Sequence, residues 1–205
     1  MYLVKTPSIL KPIARDFTWN IKTEQKEIYL TFDDGPLPGI TDVVLDMLHS
    51  YDAKATFFCL GKNVEANPEL YQRLLREGHT TGNHSWDHAD GWKTTDLTYF
   101  KNVMRASTVI DSKSFRPPYG RITLSQARTL KSRFQLVMWS VISADFDQSV
   151  TPEKCAENVV NNLDYGNIIV FHDSEKAKRN MLFALQHTLE FCREEGITLR
   201  AIEQQ

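Results

Sequence analysis

Cysteine is scarce in this sequence: Cys59, Cys155 and Cys192 are the whole supply, and they lie far apart. An odd number with no CxxC pair excludes a disulfide framework or a cysteine metal site and leaves free thiols as the expectation. Long apolar runs are missing too. None approaches the roughly 20 residues that a bilayer-spanning helix needs, so no membrane insertion is expected. The opening stretch, MYLVKTPSILKPIARDF, holds two prolines and no sustained apolar core. It does not read as a secretory signal, and by itself points to a cytoplasmic protein. There is no basic excess either; the formal net charge is −2, which argues against a nucleic-acid surface. No glycine-rich loop followed by lysine appears, which argues against phosphate handling. Internal repeats, low-complexity tracts and linker-like stretches are likewise absent.

What is present is an ordinary globular composition: 205 residues, 41% hydrophobic and 24% charged. That length suits one domain with a substantial core. We take residues 1–205 as a single domain, with 1–26 as an N-terminal extension. Strands and helices alternate along the chain. IYLTF (28–32), KATFFCL (54–60), QLVMWSVI (135–142), NIIVF (167–171) and ITLRAI (197–202) read as strands. Between them, helical spacing is found from Ile40 to Tyr51 with Thr41 in the N-cap region, from Pro68 to Arg76, from about Thr94 to Ile110, from about Pro152, and around Met181, Leu185, Thr188, Leu189 and Cys192. Mostly apolar strands alternating with helices imply a parallel sheet covered on the outside. An open doubly wound sheet and a closed or distorted barrel both satisfy this. The reactive-looking residues favour the barrel, because Asp33, Asp34, Asp145 and His172 all follow directly on apolar runs, as they would around the mouth of a barrel.

The stretch YLTFDDGPLP (29–38) poses the chemical problem, since two adjacent carboxylates end a buried strand. The answer lies in GNHSWDHAD, where His84 and His88 stand four residues apart. Two neutral imidazoles and one carboxylate make a facial triad with positions open for water and substrate. One aspartate can ligate the ion and the other can stay beside it as a base, and a dication keeps both ionised. FRPPYG (115–120) is a rigid turn around Pro118 and Tyr119, and Arg116 brings a permanent charge able to grip a carboxylate. VISADFD and VFHDS place Asp145, Asp147, His172 and Asp173 at strand ends. His49 and His187 fall in amphipathic helices, and His79 follows the Gly78 turn. Trp92 and Trp86, near the histidine pair, read either as sugar-stacking platforms or as packed aromatics.

TFDDGP, HSWDH, RPPYG, the Asp145 segment and FHD together resemble, in order and spacing, the NodB-type polysaccharide deacetylases of carbohydrate esterase family 4. The match covers about residues 27 to 202. The resemblance implies a distorted (β/α) barrel of about seven parallel strands, and metal-dependent removal of acetyl groups from N-acetylated sugars. It implies a divalent metal, zinc as the first expectation with cobalt or nickel as alternatives, and an acetylated glycan or amino-sugar substrate. By the same resemblance Asp33 matches the general base, and Asp34, His84 and His88 match the metal ligands. The backbone N–H of Tyr119 matches an oxyanion donor, Arg116 the residue holding the base, His172 the general acid, and Asp145 the carboxylate that tunes it. Pro118, Tyr119, Phe146, Val170 and Trp92 are the expected substrate contacts. Two departures stand out. Ile142 replaces the first aspartate of the fourth motif and Phe146 its tryptophan, so the chemistry is expected to survive with an altered pocket wall. Val170 stands where leucine is common. An O-acetyl esterase acting on xylan-like polymers and a catalytically silent carbohydrate-binding protein are the competing readings. The family also brings the cell envelope into play as a compartment, against the cytoplasmic reading of the chain alone.

Overall fold

A strand whose every residue is buried needs neighbours on both edges and cover on both faces, and residues 27–33 meet both conditions. The computed structural model describes residues 3–7 and 16–203. In chain order its elements are β1 (Phe17–Thr18), β2 (Glu27–Asp33), α1 (Thr41–Ser50), β3 (Ala55–Cys59), α2 (Gly61–Ala66), α3 (Pro68–Arg76), β4 (Thr80–Asn83), α4 (Asp96–Ala106) and β5 (Ser114–Phe115). There follow α5 (Leu124–Leu130), β6 (Gln135–Val137), β7 (Val141–Ile142), α6 (Pro152–Val160), β8 (Ile168–His172), α7 (Lys178–Glu194) and β9 (Thr198–Leu199). The sheet runs β1-β6-β5-β4-β3-β2-β8-β7, with β9 pairing separately onto β2. Among the described residues the pairings between these strands are all parallel, and the isolated bridges Lys5–Val141 and Asn20–Asn167 are antiparallel.

The run 135–142, expected as one strand, is two. Its first half pairs with β5 and β1, its second half with β8. Between them the backbone changes partners: Met138 N–H donates to Thr18 C=O and Ser140 N–H to Ile168 C=O. Val137 and Val141 therefore lie near opposite ends of the strand order, yet four residues of chain span at most about 14 Å. The sheet has to curl until those ends approach. That is the distorted barrel expected from the sequence, with short extra strands beyond the seven.

The period of two along β2 sorts its side chains. Ile28, Leu30 and Phe32 join the outer core beneath the helices, with Val44, Leu45, Met181, Leu185 and Leu189. Tyr29 packs instead with Phe58, Val137, Ile168 and Ile202 inside the curl. Thr31 and Asp33 continue that inner row toward the carboxyl end.

Some boundaries differ from expectation. The helix expected at 94–110 is shorter, capped by Thr95 and ending at Ala106. Thr41 does not cap α1; its hydroxyl accepts from Leu37 N–H and donates to Asp173. Of the expected N-terminal extension, 1–2 and 8–15 lie outside the described residues, while Phe17–Thr18 joins the sheet beside β6. The three cysteines are free and buried. Among the described residues no helix is long and apolar enough to cross a membrane.

Candidate active site

Parallel register brings the first two groups together. Asp33 ends β2 directly opposite His172 at the end of β8, so base and acid candidates leave adjacent strands at one level. Arg116 reaches them from the residue after β5. Its Nη1 donates to Asp33 Oδ1 and to Thr31 Oγ1, each at 2.7 Å, and its Nη2 donates to Met138 C=O at 2.9 Å. The guanidinium lies 4.0 Å from the Phe58 ring centroid and is fully buried. Burial alone would push the Asp33 carboxyl up, but Arg116, with His84 and His172 behind it, outweighs burial and holds it below the usual carboxylate range. Burial draws the guanidinium downward against the pull of Asp33. It starts so high that it stays charged, and the pair is ionic.

Asp34, His84 and His88 converge: each offers one ligand atom, and these lie within 4.8 Å of one another. The expected HxxxH pairing is achieved by a tight turn rather than a helix. Ser85 and His88 both adopt left-handed φ, near 69° and 68°, and Ser85 Oγ accepts from the N–H groups of His88 and Ala89. His84 Nδ1 sits 2.8 Å from Arg116 C=O. A carbonyl only accepts, so Nδ1 is the donor here and Nε2 is the ring atom turned toward the cluster, an orientation typical of metal-ligating histidines. Asp34 Oδ1 lies 3.9 Å from His84 Nε2 and 3.4 Å from His88 Nε2. That oxygen is buried and has no hydrogen-bond partner. Burial, with His84 adding to it, pulls His88 down to about 4, so it is a neutral donor. An orphaned carboxylate oxygen facing two imidazole nitrogens fits a divalent cation, and N₂O donors suit zinc, cobalt or nickel.

His172 is gripped twice by Asp145: Nδ1 lies 2.8 Å from Oδ1, and its backbone N–H donates to Oδ2 at 2.8 Å. Burial opposes charge on the ring, but Asp145, with Asp34 and Asp33 beyond it, raises its pKa to about 9. Phe146 stands edge-on to the same ring at 5.1 Å.

Tyr119 turns the RPPYG segment with φ near 59°. The N–H groups of Gly120 and Arg121 fold back onto Pro117 and Pro118 carbonyls, whereas that of Tyr119 enters neither bond. Its ring is exposed and stands edge-on to His88 at 4.3 Å. Trp92 is exposed rather than packed, and Trp86 is buried beneath the Arg105 guanidinium. Two expected substrate contacts are buried. Val170 is 1% exposed; it points the same way as His172 but two residues deeper, opposite Thr31, inside the barrel. Pro118 is buried within its turn. Of the remaining histidines, His49 and His187 are exposed, while His79 is buried and drawn down to about 4, mainly by that burial.

Sequence reasoning named Asp173 at a strand end and Thr41 near an N-cap but gave neither a bracing role. Asp173 Oδ1 accepts from Gly35 N–H at 2.9 Å, and Oδ2 accepts from Thr41 Oγ1 at 2.6 Å. A Cβ on Gly35 would meet Asp173 Oδ2 at 2.0 Å. Asn63 Nδ2 donates to Asp34 C=O at 2.6 Å. The signal available was the GP pair after DD, which marks a turn needing external partners.

The chain is similar to known proteins over most of its length. The chain matches the polysaccharide deacetylase family model over residues 20–137. It is 33% identical to a peptidoglycan-N-acetylglucosamine deacetylase of Bacillus cereus, covering 87% of both chains. It is 34% identical to the peptidoglycan-N-acetylmuramic acid deacetylase PdaC of Bacillus subtilis, over 75% of this chain but 33% of that one. A crystal structure of a peptidoglycan N-acetylglucosamine deacetylase superimposes with a TM-score of 0.86 at 28% identity, covering 96% of this chain and 94% of that one. The chain belongs to the polysaccharide deacetylase family.

Proposed function

We propose that this protein is a metal-dependent hydrolase that removes N-acetyl groups from N-acetylglucosamine-containing glycans of the peptidoglycan or chitooligosaccharide type. The observation carrying the reading is the double hold of Asp145 on His172 beside Asp33. Amide hydrolysis adds water to the acetyl carbonyl, breaks the C–N bond, and releases acetate and a free amine. The amine is a poor leaving group unless protonated, and a histidine raised to about 9 carries that proton at neutral pH.

Asp34, His84 and His88 would hold the ion. A divalent ion bound there lowers the pKa of water and polarises a carbonyl oxygen. The protein's own groups do the rest. Arg116 occupies Asp33 Oδ1, leaving Oδ2 directed at the cluster, 3.9 Å from His84 Nε2. An ionised carboxylate so oriented accepts the proton of the attacking water. The Tyr119 N–H supports the developing oxyanion, a donor of a kind typically worth about 2.7–4 kcal/mol. His172 delivers its proton to the sugar nitrogen.

The test is acetate release from N-acetylglucosamine oligomers and peptidoglycan fragments, with and without chelator. Chelation should stop release and added zinc or cobalt should restore it. Asp33→Asn should abolish release with the metal still bound. His172→Ala separates the bonds: N-acetyl release should be lost, whereas an O-acetyl esterase on xylan would tolerate the change. A protein that binds oligosaccharide with no stoichiometric ion and no acetate release would overturn the reading in favour of a silent lectin.

A further inference from the structure

The two imidazoles of the cluster are not held alike. The His84 ring is tied to Arg116 C=O, whereas the polar neighbour of the His88 ring is the Asp34 oxygen it faces. Where His88 stands therefore depends on the backbone of the turn 85–88. Its ends, Ser85 and His88, sit in the left-handed region that residues other than glycine rarely occupy. Two asparagines anchor that turn to α4. Asn83 is 1% exposed. Its Nδ2 donates to Val103 C=O at 3.0 Å and to Ser107 Oγ at 3.1 Å, which aims Oδ1 at Ser85 N–H, 2.8 Å away. From α4 itself, Asn102 Oδ1 accepts from Trp86 N–H at 2.8 Å, and Nδ2 donates to Asp87 Oδ1 at 2.8 Å. One helical turn on, the Arg105 guanidinium carbon lies 3.6 Å from the Trp86 ring centroid. The N–H groups of Gly61 and Lys62, at the start of α2, donate to the carbonyls of Ser85 and Trp86.

We propose that Asn83 and Asn102 are positioning residues that fix the spacing of His84 and His88, so that α4, which supplies no ligand, presets the cluster for a cation. This rests on the metal-dependent reading above. Asparagine suits the task because one side chain both accepts and donates. At each position the amide nitrogen is spent on an anchor, and the oxygen is left to take a backbone N–H of the turn. Ser85 passes the hold onward. Its hydroxyl oxygen accepts from the N–H groups of His88 and Ala89, so the place of Ser85 decides that of His88. Losing either asparagine leaves an N–H of a buried residue without its acceptor, in a backbone already strained. The turn then relaxes by carrying the His88 ring away from Asp34. Ligand sets bind well when the groups behind them are locked in this way. An asparagine that served stability alone would leave coordination untouched.

The test titrates metal-free protein with cobalt, followed by its visible absorption, with Tm measured in chelator alongside. Asn102 is only half-buried, so its variants should fold. Asn102→Ala should weaken cobalt binding about 10- to 100-fold and alter the spectrum of the saturated protein, because a displaced imidazole changes the ligand field. Asn102→Asp keeps an acceptor for Trp86 N–H but sets two carboxylates side by side, and its affinity should fall between those of wild type and Asn102→Ala. Exchanging the pair, Asn102→Asp with Asp87→Asn, remakes both bonds with donor and acceptor reversed and should recover affinity and spectrum together. Asn180→Ala is the control. It removes another buried asparagine, whose Nδ2 donates to Val150 C=O at 2.9 Å, and should lower Tm while leaving cobalt affinity and spectrum alone. Asn102→Ala with wild-type affinity and spectrum, or Asn180→Ala shifting both as far, would overturn the positioning role and leave the metal-dependent reading standing. Wild-type protein that takes up no cobalt would overturn that reading and this role with it.

Discussion

Arg116→Met asks how much of the fold hangs on the charge pair beneath the site. Wild-type Arg116 is 0% exposed and Asp33 3%, so the variant strands a carboxylate in a dry interior. Breaking a buried pair from one side costs about 3–5 kcal/mol. Thr31 Oγ1 and Met138 C=O lose a donor as well, which places the expected cost toward the upper end. For a chain of this size that corresponds to a fall in Tm of roughly 6–20 °C. Measured as metal-free protein in chelator, the loss should be largest near pH 7.5. The sign follows from Asp33. Its folded pKa is depressed, so in wild type it contributes stability present above about pH 3.9 and lost as pH falls through the folded value. Without Arg116, burial dominates and the folded pKa rises instead. The carboxylate then costs stability at neutral pH, and the cost fades on acidification as Asp33 protonates. The deficit of Arg116→Met should therefore shrink between pH 7.5 and 5. The double variant Arg116→Met, Asp33→Asn carries no charge at either of these two positions and should be more stable at pH 7.5 than Arg116→Met alone, though inactive. An Arg116→Met protein within 1 kcal/mol of wild type, or a double variant no more stable than the single, would refute the reasoning.

Other outcomes follow from the same geometry. Metal-free protein should bind one equivalent of cobalt with a visible d–d spectrum, and His88→Ala should weaken that binding at least tenfold; an unchanged titration would remove His88 from the ligand set. In metal-free protein the raised pKa of His172, about 9, contributes stability present below pH 6.5 and lost as pH rises through 9. The stability gap between wild type and Asp145→Asn should thus be a few kcal/mol near pH 6 and narrow by pH 10; a gap that widens with pH would contradict the pairing. Gly35→Ala should lower both Tm and cobalt affinity, because its Cβ collides with Asp173; loss of Tm with cobalt affinity intact would mean that the loop carries no information to Asp34.

The parts of the fold legible in sequence were those with a strong local pattern. β2, β3 and β8 carry mostly apolar runs because both their faces are covered, and the helices show their buried stripes. β4 was not legible because Thr80-Thr81-Gly82-Asn83 has no apolar run; its strand conformation comes from pairing with β3, whose Phe58 would collide with any Cβ at Gly82. β6 and β7 were read as one strand because hydrophobicity is continuous through Met138–Ser140, and only tertiary pairing marks the change of partner. The site was more legible than the fold. Ligands and acid–base pairs need particular residue types at strand ends, so they leave motifs. The depth of Val170, opposite Thr31 and 1% exposed, was not legible, because a motif position says nothing about depth. Props such as Asp173 leave no local trace, since its bond to Gly35 crosses 138 residues.

Those props explain how Asp34 can serve as a ligand at all. It sits at φ near 91°, a region that aspartate rarely occupies and that costs about 1–3 kcal/mol. Every polar backbone group around it is held. Asp34 N–H donates to Phe58 C=O and Leu60 N–H to Gly35 C=O. Gly35 N–H goes to Asp173, Asn63 donates to Asp34 C=O and Asn67 to Pro36 C=O. Five bonds at roughly 0.5–1.5 kcal/mol each outweigh the strain, so the carboxylate is aimed before any ion arrives. The division of labour is built into two adjacent dipeptides. On β2 and β8 the strand-end residues, Asp33 and His172, lie opposite each other, while their successors, Asp34 and Asp173, form the proposed ligand and its brace. Because Asp173 N–H also donates to Asp33 C=O, displacing any one of the four shifts the others. Asp33, Asp34, His172 and Asp173 are one mechanical unit.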